Sequence, residues 1–137
     1  MRKRLRRPSL EWPLAVSLGL AVACGGSSPA EEVEVPLSDL PCQSTNVNGV
    51  WESAPLPPLA VDDCSWFLFE DNATYVFEHP LGRVPIDLTG SLISFNEDGT
   101  ASTPPSGNVF LVIAADETTV TIRNGQNQAF FLRLVLE

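Results

Sequence analysis

The chain has 137 residues, 8 basic and 17 acidic side chains and a formal net charge of −9. Five of the cations (Arg2, Lys3, Arg4, Arg6 and Arg7) stand at the start, so residues 24–137 carry 3 cations against 16 anions, a net of −13. Such acidity repels phosphate backbones and excludes a nucleic-acid partner; the length allows one domain, and a hydrophobic content of 44% is that of a folded chain.

Residues 1–23 read as a secretory signal peptide: a basic start, a short apolar core and small residues at its end. The core, Leu14 to Ala23, is 10 residues long, about half of what a membrane-spanning helix needs. Its end, Ala21-Val22-Ala23-Cys24, resembles the lipobox of bacterial lipoproteins, with Ala21 where Leu is most common. The resemblance implies cleavage before Cys24, acylation of Cys24 and a lipid anchor in the cell envelope. Gly25, in place of the Asp that favours inner-membrane retention in enterobacteria, points to the outer membrane. A plain secretory signal cleaved after Ala23 or Ala21 is the other reading of the same residues. Arg6-Arg7 lacks the flanking residues of a twin-arginine signal and reads as the ordinary basic segment. Residues 24–44 are expected to be a flexible tether. Gly25, Gly26, Ser27 and Ser28 have nothing to pack, and Glu31, Glu32 and Glu34 keep the stretch solvated.

With Cys24 acylated, Cys42 and Cys64 remain, an even number in an oxidising compartment, which favours one disulfide. Two free thiols or a functional thiol are the alternatives. Neither Cys lies in a CxxC, and His79 is the only histidine, so a Cys/His metal site lacks ligands.

From Thr45 to Glu137 the pattern is strands and turns, with no stretch of helical periodicity. Gly49-Val50-Trp51-Glu52 is the first run, followed by a Pro-rich loop at Pro55, Pro57 and Pro58. Cys64 to Glu70 and Thr74 to Glu78 flank Asp71-Asn72-Ala73, which predicts a hairpin. Val84 to Leu88 and Ser91 to Phe95 read as two short strands or one strand bent at Gly90. Asn96-Glu97-Asp98-Gly99 is a turn, after which Thr100 to Thr103 pairs briefly. Asn108 to Ala114 is a near-continuous apolar strand, Asp116-Glu117 a turn, and Thr118 to Arg123 an alternating strand with Val120 and Ile122 on one face. Asn124-Gly125 is the strongest short hairpin signal in the chain. Beyond it, Phe130, Leu132, Leu134 and Leu136 share one face, and Ala129, Phe131, Arg133 and Val135 the other. Seven to eight short strands joined by hairpins predict an all-β fold, a small antiparallel up-and-down barrel.

Gly49-Val50-Trp51 and the run Trp66 to Phe77 around its Asp-Asn turn, with a second turn at Phe95 to Thr100, resemble lipocalin-like domains of bacterial lipoproteins over residues 45–137. The resemblance implies a barrel closed at one end by Trp51, with Arg133 (or Arg123) crossing over it. It also implies binding of a small hydrophobic ligand in the barrel. Trp66, Phe69, Tyr75, Phe77 and Phe110 are then candidate lining residues; core filling and a partner surface are the other roles open to these aromatics.

The residues hold no catalytic constellation. His79, beside Pro80, reads as an exposed loop histidine, and there is no Gly-x-Ser-x-Gly elbow. Asn96, Asp98 and Thr100 read as a hairpin turn, since the other ligands of a calcium loop are missing. Glu70 and Glu78 read as a cross-strand surface pair rather than a carboxylate pair for glycosidic chemistry. Neither cofactor nor metal is expected. Two functions follow as expectations: an envelope lipoprotein that binds a small hydrophobic ligand in its barrel, or one with a filled core that binds another envelope protein through an exposed strand or acidic face.

Overall fold

The computed structural model describes residues 31–59 and 64–137. The segment expected to be a signal peptide (residues 1–23) and Cys24 lie outside the described residues. Within them the fold is all-β and mostly antiparallel, with ten short strands: β1 (Glu32–Val35), β2 (Ser44–Thr45), β3 (Trp51–Glu52), β4 (Phe67–Phe69), β5 (Thr74–Glu78), β6 (Leu92–Ser94), β7 (Leu111–Ala115), β8 (Thr119–Arg123), β9 (Phe130–Arg133) and β10 (Val135–Leu136). Single 3-10 turns occupy Leu37–Asp39 and Gly107–Val109.

The strands form three sheets, ordered β1-β5-β8-β7, β10-β3-β2 and β4-β9-β6. The sheets share one core. Trp51, Phe69, Phe77, Val120, Ile122, Leu132, Leu134 and Leu136 are all fully buried, and each such side chain contributes about 1.5–3 kcal/mol by leaving water. The period-2 reading of the last two strand regions holds: Val120 and Ile122 point into the core, as do Leu132, Leu134 and Leu136. Leu134 alone separates β9 from β10, so one C-terminal segment serves two sheets. Ser53 bridges the break: its backbone N–H donates to the Leu134 carbonyl, and its Oγ accepts from the Leu134 N–H, both at 2.9 Å.

No closed barrel forms among the described residues. A barrel requires every strand to pair on both sides, whereas β1 and β7, β10 and β2, and β4 and β6 are edges of their sheets. The cause lies in two connections. The expected hairpin around Asp71-Asn72 does not exist: β4 pairs with β9, and β5 pairs with β1 and β8. Asn72, at φ 54°, takes the chain from one sheet to the other. Asn124-Gly125 likewise carries the chain from β8 in the first sheet to β9 in the third. The two crossings lie against each other. Asn72 N–H donates to the Gln126 carbonyl, and Asn124 N–H to the Ala73 carbonyl, both at 3.0 Å. The fully buried Asn124 side chain donates to the carbonyls of Phe69 (3.2 Å) and Gln128 (2.8 Å). An Asn at the end of β8 that satisfies carbonyls of β4 and of the approach to β9 stabilises a crossing more than a local reversal.

The fold also begins earlier than expected. Glu32 to Val35 pairs in parallel with Thr74 to Phe77, Val35 and Leu40 are buried, and the Leu37 N–H donates to Glu78 Oε2 at 2.9 Å. Residues 32–44, expected as tether, thus belong to the domain. The disulfide joins Cys42 to Cys64, with Cα atoms 5.2 Å apart and a sequence separation of 22; a loop of that size stabilises by about 3 kcal/mol in the chain-entropy view. The expected strand at Val84 to Leu88 is a loop held by two bonds to the last residue, Ile86 N–H to the Glu137 carbonyl (2.7 Å) and Glu137 N–H to the Asp87 carbonyl (3.0 Å). The brief pairing of Thr100 to Thr103 is a single bridge between Ile93 and Thr103.

Candidate functional site

The five aromatics proposed to line a ligand cavity do not converge on one. Phe69, Tyr75 and Phe77 pack together with Phe67 across the two sheets. Phe67 meets Tyr75 and Phe77 edge-on, with ring centroids 5.0 Å apart in each case, and Phe69 lies 5.7 Å from Tyr75. These are the spacings of filled aromatic packing. Burial raises the Tyr75 hydroxyl above its ordinary pKa, and this oxygen accepts from the Glu70 N–H at 3.3 Å.

Trp66 stands apart from that cluster. Its indole N–H donates to the Pro55 carbonyl at 3.0 Å, and its ring lies on Gly99, which adopts φ +76° and leaves no room for a Cβ. Trp66 lines an open cleft of about 530 Å³ beside the disulfide, together with Asp39, Leu40, Phe67, Glu97 and Phe131. Phe110 lies in a different surface cleft, of about 340 Å³, with Leu88, Pro104 and Pro105.

Trp51 and Arg133 do not stack. The Trp51 ring faces the core, where its indole N–H donates to Gln43 Oε1 at 2.7 Å. Arg133, on β9 of the third sheet, reaches the neighbours of Trp51 rather than its ring. Its Nε donates to the Ala54 carbonyl at 2.8 Å, and its guanidinium pairs with Glu52, the residue after Trp51. Arg133 therefore clamps β9 to β3. Close approach of the chain there needs Gly90, since a Cβ at that position would come 2.9 Å from Val135 Cγ1.

His79 is buried, at 3% exposure, and not an exposed loop residue. Its Nε2 lies 3.1 Å from the Asp116 carbonyl, and its Nδ1 accepts from the Leu81 N–H at 3.4 Å. That pattern assigns the proton to Nε2, which holds the β7–β8 turn against the end of β5, while Nδ1 fixes the loop that follows His79. Glu70 and Glu78 do not face each other across a hairpin, because β4 and β5 belong to different sheets; Glu78 instead caps Leu37. Asp98 Oδ1 accepts from both the backbone N–H (2.9 Å) and the hydroxyl (2.7 Å) of Thr100, bonds that hold its carboxyl below the ordinary pKa.

The most exposed apolar element is a strand the sequence marks only as apolar. In β7, Val112 is 48% and Ile113 56% exposed, and Ala114 and Ala115 are open to solvent. The strand pairs with β8 along one side only. Val112 pairs with Ile122 and Ala114 with Thr121, so Ile113 is a bulge with no partner opposite it. The strand carries no charge, but its ends do. Asp116 and Glu117 follow its last residue, and Arg123 lies opposite Leu111 at its start. Asp116 Oδ1 accepts from the N–H groups of Thr118 (2.8 Å) and Thr119 (2.7 Å), which lowers its pKa from 3.8 to about 2 and keeps it charged.

No known family model matches the sequence, and neither the curated proteins nor the solved structures include a significant match.

Proposed function

We propose that this chain is a non-enzymatic lipoprotein of the bacterial cell envelope, anchored through Cys24 on the outer membrane, whose β domain acts by binding another protein chain along the β7 edge. The observation that carries the reading is an uncharged apolar edge strand left open beside a filled core. Open edges of this kind present unpaired backbone donors and acceptors to an incoming strand, and soluble domains ordinarily guard against them. A small hydrophobic ligand held inside a barrel is the weaker reading, because Phe69, Tyr75 and Phe77 occupy one another and Trp66 and Phe110 line separate surface clefts. Enzymatic chemistry has little to draw on: both nitrogens of His79 are engaged, and the carboxylates of Asp98 and Asp116 each serve a turn.

A photo-reactive side chain placed at Ile113 of the full chain, produced in a bacterial envelope, tests the edge. Irradiation is expected to give a covalent adduct from position 113 and none from Val47, which is fully exposed in a distant turn. Equal adducts from both positions, or none from 113, would overturn the reading. The anchor is tested separately by Cys24→Ala, which is expected to move the protein from the membrane pellet to the soluble fraction.

A further inference from the structure

The charges around β7 identify what pairs with it. Of the three cations in residues 24–137, Arg133 is committed to Glu52, and Arg123 forms no ion pair among the described residues. Arg123, the last residue of β8, stands half-buried across the ladder from Leu111 at the β7 start, and Glu117 stands exposed at the β7 end beside the ionised Asp116. The β7–β8 border of the sheet thus has a positive end behind the edge strand, an apolar middle (Val112 and Ile113) and a negative end. We infer that the occupant of the β7 edge is the β7 edge of a second copy of this chain, paired antiparallel about a two-fold axis. This rests on the reading of β7 as an interaction edge.

Only the antiparallel arrangement brings each negative end to the positive end of the other copy, twice over. A parallel arrangement would set Asp116 and Glu117 against their own copies, and like charges side by side in a sheet repel. Both copies contribute the same patch, as a two-fold interface requires. The bulge at Ile113 keeps the ladder short.

Growth beyond two copies is blocked at the far side of the same sheet. There the edge is β1, whose Glu32 and Glu34 are exposed; charged edge strands resist further pairing. The product is therefore a closed dimer with one continuous eight-stranded sheet, not a fibre. Its contact area is small for a stable dimer, so association in dilute solution is weak. Two lipid-anchored copies confined to one membrane surface would meet at a far higher effective concentration.

The test uses the full chain carrying Cys24→Ala, with its disulfide formed, in sedimentation equilibrium from about 10 µM to 1 mM. Reversible monomer–dimer behaviour is expected, without larger species. Arg123→Glu and Glu117→Arg are each expected to weaken dimerisation by about tenfold or more, and the double exchange to restore it to within about threefold. Circular dichroism confirms that each variant is folded. Single exchanges without effect, or a double exchange that does not restore, would overturn the antiparallel pairing. A chain monomeric at all concentrations, with an adduct from position 113 to a protein of another mass, overturns the second copy but leaves the edge reading standing. Monomer with no adduct at all overturns both.

Discussion

Two largely apolar segments of this protein have opposite fates. Leu111 to Ala115 forms β7, exposed and paired on one side, whereas Phe130 to Leu136 forms β9 and β10, whose residues Leu132 to Leu136 are all buried. Hydrophobic content does not decide the outcome; what covers each segment does. β9 lies between β4 and β6, β10 is the edge of its sheet but is buried in the shared core, and Ser53 and Arg133 add polar ties along the way. The β7 strand ends its sheet, and its bulge turns Ile113 away from any partner within the chain. An apolar strand covered by the core holds a fold together, and one left exposed at an edge is available to something else.

The sharpest way to break this comparison is to truncate both segments. Leu134→Ala is expected to cost about 2–5 kcal/mol, seen as a lower urea midpoint, because its void lies where two sheets meet. Asn124→Ala is expected to cost about 1–3 kcal/mol by the same measurement, since the carbonyls of Phe69 and Gln128 would lose a buried donor. Ile113→Thr is expected to change stability by no more than about 0.5 kcal/mol at concentrations where the chain is monomeric. A cost for Ile113→Thr comparable to that of Leu134→Ala would mean that β7 is covered within a single chain, and the contrast would fail.

The smallest effect concerns the turn between β7 and β8. The Asp116 pKa is depressed from 3.8 to about 2 by its bonds to Thr118 and Thr119. Its contribution is complete above about pH 4 and is lost as pH falls toward 2. Asp116→Asn is expected to make thermal stability less dependent on pH across that window, and to leave the pH dependence above it unchanged.

Most of the strands were legible in the sequence, as were the β7–β8 hairpin and the buried row Leu132, Leu134 and Leu136. A period of two registers directly as a face, whatever the partner. The alternation Glu32-Val33-Glu34-Val35 carried the same signal for β1, but the charge of that stretch suggested a tether. Pairing was the part that could not be read. Asp71-Asn72 and Asn124-Gly125 announce a change of direction, and that is true of hairpins and of crossings between sheets alike. What decides between them is long-range: Asn124 finds the carbonyl of Phe69, 55 residues earlier. For the same reason the site was only half legible. The apolar character of residues 111–115 was plain, but their exposure depends on which strands occupy the middle of the sheet. His79 misled in the opposite direction, since a lone histidine beside a proline gives no hint that Thr118 and Asp116 will close over it.

The C-terminal segment has a consequence for how the protein is made. Three of the eight fully buried core side chains among the described residues, Leu132, Leu134 and Leu136, belong to residues 132–137. The third sheet has no middle strand without them, and β3 keeps only its two-residue pairing with β2. A nascent chain up to residue 125 can form the β7–β8 hairpin but cannot close the core around it. Closure of the core therefore waits for residues 130–136, which supply β9 and β10.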